Sequence, residues 1–188
     1  MGKVLIVNGS CRAKSNSGAQ ALRAAEGAEK AGNEVSVIEI GRLRIEPCRG
    51  CLHCLKPNVP SCVIKDDMQQ FYPMLREADG ILFASPIYWF TLCGQTKQFI
   101  DRCFAVAVNP DPEGQSLFAG KRIAAAFAYG DTDPMNSGCV NAVRTFQDIC
   151  AYTGAVWLGA VYGQANDPGE MLGNAELLRL AEELGAKL

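Results

Sequence analysis

Lys3-Val4-Leu5-Ile6-Val7-Asn8 runs directly into Gly9-Ser10-Cys11-Arg12-Ala13-Lys14-Ser15-Asn16-Ser17-Gly18, after which good helix formers continue to about Ala31. A short apolar run without polar alternation reads as a strand buried on both faces, and the small, hydroxyl-rich stretch after it reads as a turn into a helix. The same unit recurs along the chain. Apolar runs at 34–40, 80–85, 121–128 and 155–162 each read as a further buried strand. Between and after them, 67–78, 94–106, 136–153 and 174–186 carry apolar residues at three- and four-residue offsets, as in Phe99, Cys103 and Val106. With the helix at 17–31, this is β-α repeated five times. Such alternation demands a parallel sheet with right-handed crossovers and helices on both faces.

At 188 residues the chain suits one domain, 1–188, rather than two. Five strands in one α/β domain fit the doubly wound, five-stranded flavodoxin-like order 2-1-3-4-5 better than the six-stranded dinucleotide fold. Hydrophobic residues at 48% and charged residues at 20% exclude a disordered chain. Eighteen basic against twenty acidic side chains leave a net charge of −2, so no single-sign field is present to hold a nucleic acid or an anionic membrane. No apolar run approaches the ~18 residues of a spanning helix, and the first residues lack a separate apolar segment with a cleavage site. The expected location is cytoplasmic. Nine cysteines in a reducing compartment then point to metal or redox chemistry rather than to a disulfide framework. Two connections, 41–65 and 108–120, are long for a compact domain, and the first is a cysteine-rich insert.

Ligands of an open parallel sheet bind beyond the carboxyl ends of its strands, where the winding reverses. Three loops meet that description. The first, 8–18, offers hydroxyls, Arg12 and Lys14 at the start of a helix whose first N–H groups favour an anion. It matches neither G-x-G-x-x-G nor G-x-x-x-x-G-K-[ST], so a monophosphate fits better than a pyrophosphate. An ordinary N-cap by Ser15 or Ser17 beside solvated basic residues accounts for the same letters. The second, 85–94, holds the consecutive aromatics Tyr88-Trp89-Phe90, which suit a flat aromatic ligand, a subunit contact or packing onto the core. The third, 129–133, is Tyr129-Gly130-Asp131-Thr132-Asp133, where glycine admits a close backbone approach.

G-S-C-R-A-K-S-N-S from Gly9 to Ser17, with S-P-I-Y-W-F…C-G-Q-T-K-Q-F-I-D-R from Ser85 to Arg102, resembles the NADPH-dependent FMN reductase family and its iron–sulfur flavoprotein branch. The resemblance implies a flavodoxin-like fold with FMN as ligand. It implies that Ser10, Arg12, Ser15, Asn16 and Ser17 surround the phosphate, and that Pro86, Ile87, Tyr88, Trp89 and Phe90 lie along the ribityl chain and ring. Gly130, with Tyr129 and Asp131, would close the ring's far edge. Flavin carries the hard chemistry in such proteins, so no protein nucleophile is expected, and the lone His53 argues against a His-centred triad. The expected reaction runs from NADH or NADPH through FMN to a quinone, dioxygen or other small oxidised acceptor. A homodimer or dimer of dimers is implied by the same analogy. A flavodoxin-like electron carrier or redox sensor without its own small substrate is the competing reading, which the small net charge disfavours.

Cys48, Cys51, Cys54 and Cys62 stand at C-x2-C-x2-C-x7-C, and the first three match the compact run that holds a four-iron four-sulfur cluster in bacterial ferredoxins. The iron–sulfur flavoproteins are similar at this place, and a cluster would make a ferredoxin-like protein a natural donor. Zinc fits less well, since two separated C-x-x-C hooks build its tetrahedron. A redox-active cysteine pair and inert thiols remain open beside the cluster. Cys11, Cys93, Cys103, Cys139 and Cys150 are scattered, and free cysteine packs like a small apolar residue. Asp66 and Asp67, at a predicted helix start, read as cap and dipole partners.

Overall fold

A computed structural model describes residues 1–56, 59, 61–108 and 116–188. Most of the expected 108–120 connection, and Pro57, Asn58 and Pro60 of the cysteine-rich insert, lie outside the described residues. The chain order is β1 (Lys3–Asn8), α1 (Asn16–Lys30), β2 (Glu34–Glu39), α2 (Phe71–Glu77), β3 (Gly80–Tyr88), β4 (Thr91–Leu92), α3 (Gly94–Ala107), β5 (Arg122–Tyr129), α4 (Cys139–Thr153), β6 (Val156–Gln164) and α5 (Ala175–Gly185). The sheet runs β2-β1-β3-β5-β6, all parallel, with β4 pairing antiparallel to β3. Thus the described sheet has six strands, not the expected five. The long parallel strands keep the doubly wound order, and the sixth strand is a two-residue return after β3 reaches three residues beyond Ser85.

Helix starts also moved, for local reasons. The segment expected as one helix over 67–78 opens as a 3-10 turn, Asp67–Gln70, and becomes α-helical at Phe71. Pro73 sits in the first turn of α2, where its missing N–H costs nothing. α4 begins at Cys139 rather than 136, after Gly138 takes a left-handed conformation with φ 75°.

Alternation along the strands sorts the core onto two unlike faces. Leu5, Val7, Ile81, Phe83, Ile123 and Phe127 meet Phe71, Tyr72, Phe99 and Phe146 of α2, α3 and α4. On the other face Val4, Ile6, Leu82, Ala84, Ala124 and Ala126 meet an alanine-rich seam, Ala21, Ala24, Ala25 and Ala28 of α1 with Ala181 and Leu184 of α5. Small residues let the two helices touch by their backbones. A Cβ on Gly27 would lie 1.9 Å from the Glu182 carbonyl oxygen, and one on Gly185 would lie 1.9 Å from that of Ala24. No helix among the described residues is long and apolar enough to cross a membrane.

Gly27→Ala should therefore cost about 1–3 kcal/mol, the usual range for overpacking against atoms that cannot swing aside. Gly94→Ala, at a position open to space, should be neutral or stabilising by up to about 1 kcal/mol. Urea denaturation of both variants checks this, and equal midpoints would show that α1 and α5 do not touch as described.

Candidate functional site

The first loop is built by its own side chains. Asn8, at the end of β1, accepts the Ser10 N–H at Oδ1 (3.2 Å), and Ser10 Oγ accepts the Arg12 N–H (3.3 Å). Ser15 caps α1 in an extended conformation, its Oγ accepting the Gly18 N–H at 2.9 Å. The Ser15 and Ser17 hydroxyls lie 3.2 Å apart. Helix geometry leaves the N–H groups of Asn16 and Ser17 without intrahelical acceptors, so donors, hydroxyls and the helix dipole converge beside Arg12 and Lys14.

Asn16 does something the sequence reading missed. Its side chain is taken up inside the protein: Nδ2 donates to the Asp167 carbonyl (2.9 Å), while Oδ1 accepts the N–H groups of Gly169 and Met171 (3.1 Å each). Only its backbone remains for an anion. Arg12 Nη1 likewise donates to the Asn166 carbonyl (3.1 Å), and Asn166 Nδ2 donates to the Gly130 carbonyl (3.0 Å). The turn after β6 is therefore a fourth member of the cluster, joining the first loop to the third. Its sequence signal was Asn166-Asp167-Pro168-Gly169 at a strand's carboxyl end, a strong turn that falls under the same edge rule.

In the second loop, Ile87 pairs with Leu92 and Tyr88 with Thr91, so Trp89 and Phe90 form a two-residue hairpin turn. Both have positive φ, 48° and 70°. That is the mirror-image turn which glycine and asparagine ordinarily occupy, and bulky residues there are strained. α4 holds the tip in place. Asn141 Nδ2 donates to the Phe90 carbonyl at 3.0 Å, and Gly138 passes so close that a Cβ would lie 2.4 Å from the same oxygen. Trp89 is 91% exposed, Tyr88 and Phe90 are exposed, and Pro86 and Ile87 are half-buried. At the hairpin's base the Cys93 N–H donates to Ser85 Oγ (3.2 Å) and its thiol to the Gly9 carbonyl (3.4 Å), tying the second loop to the first. Thr96 adds a hydroxyl 3.2 Å from that sulfur.

The third loop contributes mainly backbone. Tyr129 is buried with its ring centroid 6.4 Å from that of Tyr162, and Asp131 is occupied by the N–H and hydroxyl of Thr132 (2.6 and 3.3 Å). Taken together, the first loop offers what a phosphomonoester needs and the hairpin offers an aromatic rim. The donor set fits FMN.

Cys48 and Cys51 are exposed, Cys54 and Cys62 half-buried, and all four thiols are free. Among the described residues, no three of His, Cys, Asp and Glu gather as one metal ion would require. Burial first, then the neighbouring sulfurs Cys62, Cys48 and Cys51 as like charges, hold the Cys54 thiol above its ordinary pKa. The loop that carries these sulfurs is closed at its base. Asp67 and Arg44 exchange two backbone-directed bonds, the Asp67 N–H to the Arg44 carbonyl (3.1 Å) and the Arg44 N–H to Asp67 Oδ2 (2.7 Å). Beneath them Arg102, 1% exposed, grips Asp66 in two bonds (2.5 and 3.1 Å) and donates also to the Glu46 carbonyl (2.7 Å) and Tyr72 Oη (3.2 Å). Asp66 in turn accepts the N–H groups of Glu46 (2.8 Å) and Met68 (3.2 Å). It caps the 3-10 turn as expected and is also half of a buried ion pair, which adjacent carboxylates in sequence do not announce. Gln69 Nε2 pins the far arm through the carbonyls of Cys62 (2.8 Å) and Ile64.

The remaining cysteines differ in environment. Burial pushes the Cys139 thiol up to about 12, Cys150 up to about 11, and Cys103 still higher. Such thiols are inert packing residues. Cys11 is exposed in the first loop, its carbonyl accepting from Arg42 Nε at 3.5 Å.

A doubly wound sheet with a helix-start anion cup and an aromatic rim at its carboxyl edge defines a flavodoxin-like mononucleotide-binding protein. The chain belongs to the NADPH-dependent FMN reductase family, which it matches over residues 2–167, and it is an FMN-dependent oxidoreductase. It is 29% identical over 186 residues to an iron-sulfur flavoprotein of Archaeoglobus fulgidus, covering 99% of this chain and 78% of that one. An iron-sulfur flavoprotein of Methanosarcina thermophila is 28% identical over 158 residues, 84% of this chain and 77% of the other. Among solved structures, the NAD(P)H:quinone oxidoreductase of Methanothermobacter marburgensis shares the fold with a TM-score of 0.73 at 16% identity, over 99% of this chain and 96% of that one.

Replacing the strained tip by the residues such a turn prefers, Trp89→Asn with Phe90→Gly, should stabilise the protein by about 1 kcal/mol. The same change should weaken FMN binding at least tenfold by removing aromatic surface. Denaturation and flavin fluorescence titration read the two effects separately, and an unraised midpoint would mean the turn stores no strain.

Burial alone would raise the Asp66 pKa, but the bonds from Arg102, Glu46 and Met68 together outweigh it and hold the carboxyl below the usual carboxylate range. The pair therefore contributes fully above the unfolded value of about 4 and is lost as pH falls through the lower folded value. Asp66→Asn should cost about 3–5 kcal/mol at pH 7, because Arg102 is left buried without its counter-charge. Its stability should also fall less than the wild type's below about pH 4. Denaturation curves from pH 2.5 to 7 test both statements.

Proposed function

We propose that the first loop binds the FMN phosphate and that the hairpin lines the flavin ring, with NADPH or NADH as reductant and a quinone, dioxygen or other small oxidised molecule as acceptor. One observation carries this reading: the Cys93 thiol and Ser85 hydroxyl lock an anion cup and a strained aromatic tip side by side at one sheet edge. Bound FMN supplies hydride acceptance and onward electron delivery. Everything else is done by the chain. Ser10, Ser15 and Ser17 hydroxyls, the N–H groups of Asn16 and Ser17, and Arg12 meet the phosphate charge. Pro86, Ile87, Tyr88, Trp89 and Phe90 keep water from one side of the ring, and backbone around Gly130, with Tyr129 and Asp131, closes its far edge.

The four-cysteine loop extends the proposal. Cys48, Cys51, Cys54 and Cys62 would hold a four-iron four-sulfur cluster, which supplies one-electron transfer and makes a ferredoxin-like protein a second donor. Their spacing supports it, as do the likeness to the two archaeal iron-sulfur flavoproteins and a loop whose base is pinned independently of any metal. The protein would work in the cytoplasm as a homodimer or homotetramer.

Anaerobic purification followed by an absorbance spectrum, iron determination and NADPH titration tests the whole. Flavin bands that bleach on adding NADPH are expected, with close to four iron atoms per chain. Flavin without iron removes the cluster, and bleaching only by a reduced protein donor makes the chain a carrier instead. Refusal of FMN at saturating excess ends the reading of the site.

A further inference from the structure

The first loop is flanked by the segment that follows β2. The Ile40 N–H donates to the Asn8 carbonyl at 2.9 Å, and Gly41 then runs so close to the loop that a Cβ on it would lie 2.2 Å from the Ser10 carbonyl oxygen. A residue without a side chain permits that approach, and it sets the next residue, Arg42, beside Cys11. Arg42 Nε donates to the Cys11 carbonyl in a long bond of 3.5 Å. The side chain is exposed, and its two Nη groups have no partner among the described residues.

Charge at this corner is uncompensated. Arg44, two residues further on, is paired with Glu46, and Lys97, Arg102 and Arg144 each have a carboxylate. Arg12, Lys14 and Arg42 have none among the described residues. One phosphomonoester in the first loop already meets Arg12, the hydroxyls and the helix-start N–H groups. Arg42 reaches the flank from a different strand, and its planar fork matches a second phosphomonoester in two parallel bonds.

Strand order decides which molecule can bring that phosphate. β2 is the edge of the sheet, so the carboxyl-end loops follow one another as Arg42, first loop, aromatic hairpin and third loop. From Arg42 to the hairpin and the third loop is two to three strand spacings, roughly 10–15 Å at about 4.8 Å each. A reductant that passes hydride to the flavin ring lays its nicotinamide there, and an extended dinucleotide carries its adenosine half across such a span to the open edge. NADPH and NADH differ in one group, the phosphomonoester on the adenosine ribose.

We propose that Arg42 is the residue that selects NADPH over NADH, its free guanidinium fork taking the adenosine 2′-phosphate. The assignment rests on the flavin reading of the first loop and hairpin.

Two measurements on the FMN-saturated full chain test it, with the first loop filled so that no probe enters it. In calorimetric titration, adenosine 2′-monophosphate should bind at least tenfold tighter than adenosine 5′-monophosphate, and Arg42→Ala should remove the difference. In anaerobic stopped-flow bleaching, the second-order rate constant for NADPH should exceed that for NADH at least tenfold; Arg42→Ala should lower the NADPH value by that factor and move the NADH value less than twofold. Arg42→Lys, which keeps the charge and loses the fork, should fall between the two. Arg44→Ala should match the wild type in both measurements, and Arg42→Ala should match it in FMN affinity and unfolding midpoint. Equal binding of the two adenosine phosphates, equal rates for NADPH and NADH, bound FMN that neither dinucleotide bleaches, an equal loss for both dinucleotides, the same loss in Arg44→Ala, or weakened FMN binding in Arg42→Ala would each overturn the proposal. All of these leave FMN in its site, whereas refusal of FMN would end the flavin reading and this assignment together.

Discussion

A parallel sheet with helices on both faces has nowhere to put function except the ends of its strands. Its strand interiors here are apolar on both sides, from Val4–Val7 in β1 to Ala124–Phe127 in β5, and every connection must cross over a face before returning. The turns after β1, β3, β5 and β6 are thereby brought together at the carboxyl edge, although they are far apart in sequence. Their mutual bonds, Cys93 to Gly9, Arg12 and Asn16 to the 166–171 turn, and Asn166 to Gly130, convert that shared location into fixed geometry. Backbone donors aimed at one place cost no reorganisation when an anion arrives.

The two faces meet this constraint differently, and the difference has consequences. Alanines and two glycines draw α1 and α5 into backbone contact, so the first loop begins from a rigid helix. Aromatics fill the opposite face, with Phe83 tilted against Phe146 and Phe146 stacked on Trp157. On this face a cavity opens between α3 and α4. Rigidity beneath the phosphate loop and room beneath the cysteine loop thus follow from which residue sizes alternate along the same strands.

Strand order, helix faces and the gathering of the three candidate loops at one edge were legible because they depend on periodicity and on a rule about strand ends. What escaped depends on pairings that no local pattern displays. β4 escaped because Trp-Phe carries none of the glycine or asparagine that marks such a turn; α4 imposes it through Asn141 and Gly138, some fifty residues away. The resemblance placed Asn16 among the residues around the phosphate; that its amide oxygen is engaged 153 and 155 residues downstream is a pairing no neighbouring letters display. Asp66 was legible as a cap and illegible as an ion-pair partner, since Arg102 lies 36 residues further on within a motif whose letters speak of the ligand loop.

Nine cysteines of identical chemistry divide by their surroundings. Cys103, Cys139 and Cys150 are buried among apolar side chains that disfavour the thiolate, so they pack and do not react. Cys48, Cys51, Cys54 and Cys62 lie instead on a loop whose base is closed by a buried salt bridge, with Cys54 and Cys62 packed against the core. Arg102 closes the loop by gripping both of its ends, Glu46 and Asp66, and spends every guanidinium nitrogen but one in doing so.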